Sequence, residues 1–265
     1  MRLFFAGSEA QKFMDVLNEC DVKNILMSYY WVRKNSDLEE FSKRCKIFLD
    51  SGGYSARKQG VEINVDEYGK FLERNKEYIF AAANLDVYDL NVALQNQKTL
   101  EQYFPVIPVF HYTEYAQGRE DLLREFCEKY PYVALGGMAG TNLDKKLVYN
   151  FLNFCFKITT RYKIKVHGFG ITAVKYLTEY PFFSVDSTTW LSGGQYGNIL
   201  KWDRKNFHLD GSIHYSNRDK FLKYNLDTDL TGEYRGRIVN NVKELQKVEE
   251  DITALWRERG IVYDG

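Results

Sequence analysis

Asp50 and Asp186 each close a short apolar run, in Lys46-Ile47-Phe48-Leu49-Asp50 and in Phe182-Phe183-Ser184-Val185-Asp186. Asp86 follows Asn84-Leu85 in the same way. A buried carboxylate costs several kcal/mol unless it is paired or hydrogen-bonded, so acids repeated at such ends point to chemistry, although a single one would more simply cap the next helix. Two acids can divide a double displacement at a sugar carbon, one attacking C1′ and the other handling the proton of the leaving group. Ser51-Gly52-Gly53 and Gly136-Gly137 let backbone approach a planar heterocycle closely, and Tyr54, Met138 and Phe169 are side chains able to cover its faces. His111 and His167 end two further runs, where a histidine orients a neighbour or hydrogen-bonds substrate. The same pair with Asp50 or Asp86 would also make a metal site, so the residue types alone leave sugar and metal chemistry open. His208 and His214 have no ligand spacing.

These residues need a scaffold that presents strand ends. Eight apolar, β-rich runs recur along the chain: Leu3 to Ala6, Asn24 to Tyr29, Lys46 to Leu49, Tyr78 to Ala83, Val106 to Phe110, Tyr132 to Leu135, Lys163 to His167 and Phe182 to Val185. Polar segments of helical period separate them, at about 8–19, 36–44, 65–77, 91–102, 117–129, 142–161 and 172–179. Ser36 with Glu39 reads as a capping box, and Asn142 as a helix start. Eight such units predict an α/β chain folded as a single (β/α)8 TIM barrel, whose active sites lie at the C-terminal ends of the strands. The glycine-scattered stretch 191–239 reads as an irregular insertion after the eighth strand, over the barrel mouth, followed by a C-terminal helix at 240–259.

The 265 residues suit either one large barrel or two ordinary domains, and length alone does not choose; the 45% hydrophobic and 27% charged content is that of a globular chain with a substantial core rather than a disordered one. Lys+Arg and Asp+Glu both total 36, so any polyanion must be held by local patches rather than by net charge. Arg33-Lys34, Arg57-Lys58, Arg204-Lys205 and Arg235 with Arg237 are the candidate phosphate contacts. Cys20, Cys45, Cys127 and Cys155 form no CxxC pair and read as small buried hydrophobes, which argues against a zinc cluster or a disulfide framework. No apolar stretch reaches membrane-span length, and a reducing cytoplasm is the default location.

Leu49-Asp50-Ser51-Gly52-Gly53-Tyr54 resembles the DSGG(F/Y) signature of tRNA-guanine transglycosylases. Ala134-Leu135-Gly136-Gly137-Met138-Ala139-Gly140 is similar to their GGLA-type base-binding strand, and Ser184-Val185-Asp186 to the segment that bears their nucleophile. These anchors span roughly residues 46 to 198. The resemblance implies a (β/α)8 barrel with Asp186 as nucleophile, Asp50 as acid/base and Asp86 on the guanine edge. Ser51, Gly52, Tyr54, His111, Gly136, Gly137, Met138, His167 and Phe169 would then surround the base, with no cofactor and no metal in the exchange.

The chain also departs from that family. It has no CxC…CxxC zinc module, Ser192-Gly193-Gly194-Gln195-Tyr196-Gly197 stands where an Arg-rich anticodon-gripping loop is expected, and Phe110-His111 replaces a base-reading glutamine. It is more similar to the zinc-free transglycosylases of phages and bacterial modification clusters, which exchange guanine in DNA for a 7-deazaguanine. DNA and a 7-deazaguanine are therefore the expected partners, and the resemblance allows a homodimer or accessory modification proteins. Competing readings are a tRNA-type enzyme without its zinc module, a non-catalytic base-binding subunit, and a glycosylase that releases base to water.

Overall fold

The computed structural model describes residues 1–34, 37–85, 87–138 and 143–262. Asp86, Ser36 and Asn142 lie outside them. The elements follow in chain order: β1 (Arg2–Ala6), α1 (Gln11–Glu19), β2 (Asn24–Ser28), α2 (Tyr29–Val32), α3 (Leu38–Ser42), β3 (Lys46–Asp50), α4 (Gly53–Lys58), α5 (Val65–Arg74) and β4 (Ile79–Ala82). Next come α6 (Leu90–Leu100), β5 (Val109–His111), α7 (Tyr112–Ala116), α8 (Glu120–Lys129), β6 (Tyr132–Gly136), α9 (Lys145–Tyr162), β7 (Lys165–Gly168), α10 (Val174–Glu179) and β8 (Ser184–Ser187). A 3-10 turn (Thr189–Leu191), α11 (Ser192–Gln195), β9 (Asn198–Asp203), β10 (His208–His214), α12 (Arg218–Tyr224), a second 3-10 turn (Thr228–Thr231) and α13 (Tyr234–Glu258) complete the chain.

The first eight strands form one sheet in the order β4-β3-β2-β1-β8-β7-β6-β5, with parallel pairing. Its end strands also meet. Ala83, just past β4, bridges in parallel to Ile107 ahead of β5, with Asn84 N donating to Ile107 O at 3.0 Å and Ile107 N to Ala82 O at 2.8 Å. Joining the end strands of this sheet is what closes a barrel. The fold is thus the (β/α)8 barrel that the eight apolar runs predict, with an insertion after the eighth strand.

Two strand boundaries move for identifiable reasons. The fifth strand starts at Val109 rather than Val106, since Pro105 and Pro108 have no N–H to give a ladder. The seventh starts at Lys165 rather than Lys163, because Lys163 takes the left-handed conformation (φ 55°) that ends α9. The expected helix starts also move. Asp37 caps α3, its side chain accepting from Glu40 N, and Asp144 caps α9, accepting from Lys146 N at 2.9 Å.

The chain divides into two compact units, Lys23–Gly170 and Met1–Val22 with Ile171–Gly265. In the first, strand alternation puts Lys46, Phe48 and Asp50 on one face of β3. Phe48 is fully buried, and its ring lies 4.5 Å from His167, 5.8 Å from Phe169 and 6.4 Å from Tyr132. Strands three and seven are not neighbours in the sheet, so these rings meet across the barrel interior as one of its packed layers. Burying a ring such as Phe48 stabilises by about 1.5–3 kcal/mol. The alternate residues face helices, as where Phe110 of β5 stacks on Phe151 of α9 at 6.0 Å.

In the second unit β1 pairs with β8 from Arg2↔Ser184 to Phe5↔Ser187. The fully buried Trp190 plugs the exit of β8: its indole N–H donates to Ala6 O at 2.9 Å, and its ring meets Phe5 and Phe13 edge-on. Residues 191–239 are not irregular, which corrects the sequence expectation. They form the antiparallel β9–β10 hairpin with a small core of Ile199, Ile213, Phe221 and Leu230, and α13 begins at Tyr234 rather than 240. The hairpin is seated along α13. Leu200 N donates to Asn241 Oδ1 (2.8 Å), Trp202 N to Glu244 Oε2 (2.6 Å) and Trp202 Nε1 to Asp251 Oδ2 (2.7 Å). These partners span almost three helical turns, so the insertion is fastened lengthwise to α13.

The four cysteines are free and buried, as expected, and burial pushes the Cys127 thiol up to about 12. No described helix is long and apolar enough to cross a membrane.

Candidate functional site

Asp50 ends β3 opposite Ser28 of β2 and is half-buried, two residues beyond Phe48 on the interior-facing side. Its carboxylate Oδ2 accepts from Gly52 N at 3.0 Å, and Ser51 Oγ from Gly53 N at 3.3 Å. Gly52 makes this turn possible. It holds φ +74°, and a Cβ there would stand 2.2 Å from Ser28 Oγ and 2.6 Å from Tyr30 Cβ. The DSGG sequence is therefore read out physically: the serine is buried, the first glycine fits where no other residue does, and the aspartate is oriented by the turn it begins.

The exit of β4 is held from several sides. Tyr68 Oη donates to Ala83 O at 2.9 Å, Asn84 Nδ2 to Ala93 O at 2.9 Å and Asn96 Nδ2 to Leu85 O at 3.1 Å. Asp86 follows this pinned backbone directly in sequence.

His111 ends β5 opposite Gly136 of β6. Its ring lies so close that a Cβ on Gly136 would meet His111 Cδ2 at 2.7 Å, and Gly137 turns away with φ +77°. Glu114 holds the histidine: its Oε2 accepts from His111 N at 2.6 Å and stands 3.3 Å from Nδ1. Burial pushes the Glu114 carboxyl up, but the hydrogen bonds and charge of His111 outweigh it and leave the pKa below its ordinary value. Met138 is half-buried beside this glycine pair in sequence, and Tyr54 is mostly exposed on α4.

His167 differs from its sequence reading. It is fully buried between Phe48 and Phe169, at ring distances of 4.5 Å to each, and so belongs to the interior packing layer rather than to an open face. The register explains this. His167 pairs with Ala134, two residues before Gly136, whereas Phe169 N donates to Leu135 O and so stands nearer the strand ends. Phe169, half-buried, is the ring just past β7 at that level. Among the described residues no group of three or more His, Cys, Asp or Glu side chains is placed to hold a metal ion.

In the other unit Asp186 pairs with Phe4 of β1 and is 8% exposed. Phe5, the next residue of β1, packs on Trp190, so alternation turns Phe4 and Asp186 to the opposite, interior-facing side. Beyond it, Ser187 Oγ accepts from Thr189 N at 3.0 Å and starts the turn that carries Trp190. Asn241 of α13 buttresses the exit, its Nδ2 donating to Asn198 O at 3.0 Å.

The candidate phosphate contacts separate into two groups. Arg237 is corrected outright: it is 8% exposed and donates to Gly193 O, Leu230 O and Gly232 O beneath the Tyr215 ring, so no phosphate reaches it. Arg204 is paired with Asp251 at 2.7 Å and Arg235 with Glu19 at 2.6 Å, which leaves exposed Lys205 as the neighbouring cation. In the first unit, by contrast, Arg33, Arg57 and Lys58 lie over the rings of Tyr30, Tyr88 and Tyr54, and Lys34 is exposed. Sequence reasoning missed Ser28, Glu114 and Tyr88. Glu114 had a readable signal, since it stands three residues after a strand-end histidine at the N3 position of a short helix.

No protein-family model and no curated protein matches the chain. Among solved structures it is similar to a mutant tryptophan synthase alpha-subunit from the hyperthermophile Pyrococcus furiosus. That likeness has a TM-score of 0.53 and 13% identity, and covers 92% of this chain and 96% of that one. It shows a shared fold. The chain also matches the carboxyl transferase domain of Rhizobium etli pyruvate carboxylase at a TM-score of 0.44 and 11% identity, over 95% of this chain and 48% of that one.

Proposed function

We propose that the chain is an enzyme that exchanges guanine in DNA for a 7-deazaguanine base. The observation that carries the reading is the turn at the end of β3, where Asp50 is oriented by the Gly52 N–H in a conformation and a space that only glycine fits. A DSGG sequence occurring by chance has no reason to meet both constraints.

Asp186 attacks C1′ of the target nucleotide as the bond from C1′ to guanine N9 breaks, giving a glycosyl-aspartate, while the Asp50 carboxyl delivers a proton to the departing base. The 7-deazaguanine then gives its N9 proton to the Asp50 carboxylate as N9 attacks C1′ and frees Asp186. Asp86 reads the amidine edge, and the Gly136-Gly137-Met138 backbone with His111, held by Glu114, borders the base. The target nucleotide must leave its stack for this chemistry, at a cost of a few kcal/mol. Support for DNA over tRNA comes from Ser192-Gly193-Gly194-Gln195-Tyr196-Gly197, which stands where the tRNA enzymes carry an arginine-rich loop.

The test is base release. DNA and tRNA, each carrying labelled guanine, are incubated with the protein and 7-deazaguanines. Deazaguanine-dependent label loss from DNA is expected, whereas loss from tRNA alone refutes the polymer assignment.

A further inference from the structure

Three aromatic rings stand out in solvent beyond the ends of β2, β3 and β4: Trp31 is 54% exposed, Tyr54 59% and Tyr88 90%. A single exposed ring is ordinary, but these three follow neighbouring strands of the sheet, and it is their grouping that marks a contact surface. Contacts within the first unit link the segments that carry them. Tyr30 and Trp31 meet edge-on at 4.7 Å, Gly52 at the head of α4 is pressed against Tyr30, and Arg57 of α4 reaches over Tyr88 at 4.7 Å. The cations are spaced among the rings, with Arg33 4.3 Å over Tyr30 and Lys58 4.5 Å over Tyr54. Segments 29–34 and 52–60 contain four Lys or Arg side chains and no carboxylate, in a chain whose charges balance as a whole, while at the third ring Tyr88 is followed by Asp89, whose side chain caps α6.

We infer that this surface is a stacking platform for single-stranded DNA, which holds the unpaired bases flanking the exchanged nucleotide. The assignment rests on the base-exchange reading for its position beside Asp50, and it adds the state of the substrate. Open π-faces interleaved with cations match a polyanion whose bases are unstacked, because each base offers a face to a ring and each phosphate a charge to Arg or Lys. Duplex DNA hides those faces in its own stack, so the platform selects single strands or melted DNA. An acidic protein partner would satisfy the cations but leave the rings unused.

The experiment measures binding apart from chemistry. Fluorescein-labelled oligodeoxythymidylate of twelve nucleotides contains no guanine, so anisotropy with the intact protein reports the platform alone. We expect single strands to bind more tightly than a duplex of equal length, and Trp31→Ala and Tyr88→Ala each to weaken binding about 5- to 150-fold, the range set by loss of one stacked base. Trp31→Phe should recover most of the loss. Both positions are exposed, and unchanged melting of each variant separates a lost contact from a lost fold.

Equal or tighter duplex binding, variants within about twofold of the parent, equal displacement by polyglutamate, or tighter binding of oligouridylate would each overturn the proposal. Failure of the base-exchange reading looks different: the parent protein binds oligodeoxythymidylate normally and releases no guanine from any DNA. Unimpaired exchange on single-stranded DNA by a Trp31→Ala, Tyr88→Ala double variant sinks the platform and leaves the exchange standing.

Discussion

Replacing Gly52 by alanine tests the physical core of the argument with no substrate present. Its φ of +74° costs an L-residue about 1–2 kcal/mol. The new methyl would sit 2.2 Å from Ser28 Oγ and 2.6 Å from Tyr30 Cβ, roughly an ångström inside normal contact, and forcing the turn away from the end of β2 and the start of α2 adds about 1–3 kcal/mol. The expected total is about 2–5 kcal/mol. Gly60→Ala supplies the control, because Gly60 has a similar φ of +66° but no heavy atom within 4 Å of a built Cβ, so only the backbone cost of about 1–2 kcal/mol applies. Urea denaturation of the two variants with equal m-values measures the difference directly. Equal losses in the two proteins would refute the claim that packing reserves the position for glycine. Since Gly52 N also orients the Asp50 carboxylate, Gly52→Ala should lower exchange activity beyond what its loss of folded protein explains.

Other outcomes follow from groups the fold has buried. Arg237→Met removes three carbonyl partners at once and should cost at least about 3 kcal/mol by denaturation, while Arg235→Ala, in an exposed pair with Glu19, should cost under about 1 kcal/mol; similar losses would contradict the separation of the two arginines. Burial raises the Glu249 carboxyl from 4.5 to about 7, against the pull of Leu3 N–H, the Met1 amino group and Arg2. The folded state therefore holds an extra proton between these values, and this contribution to stability falls as pH rises from about 4.5 to 7, by roughly 3 kcal/mol in all. Glu249→Gln should flatten that decline, and unchanged pH dependence of urea midpoints would place the proton elsewhere. Glu114→Gln removes the acceptor that fixes His111, and should raise KM for the deazaguanine more than it lowers kcat; a change in kcat alone would give His111 a different part.

The barrel was legible because its strands are covered on both sides. Ile47-Phe48-Leu49 and Val133-Ala134-Leu135 are apolar throughout, and the punctuation between them is strong enough to count. What escaped reading depends on register and tertiary partners. His167 looks like a strand-end residue, yet its pairing with Ala134 sets it one layer deeper, where Phe48 and Phe169 enclose it. Arg235 and Arg237 are two residues apart on α13 and indistinguishable by type; one faces solvent and Glu19, the other enters a ring of backbone carbonyls. The insertion looked irregular because its hairpin takes polar partners from Asn241, Glu244 and Asp251, forty or more residues along the chain. The short helices α2, α4 and α7 start within three residues of strand ends and are too brief to show a period, so the platform of exposed rings that two of them carry was not visible as a surface.

The most direct test of the central claim is release of labelled guanine from a single-stranded oligodeoxynucleotide by the parent protein and by Asp186→Asn. The account predicts label loss that depends on added 7-deazaguanine, with the deazaguanine appearing in the recovered DNA, and its abolition in Asp186→Asn. Exchange at the parent rate in Asp186→Asn, or release from tRNA and never from DNA, would contradict it.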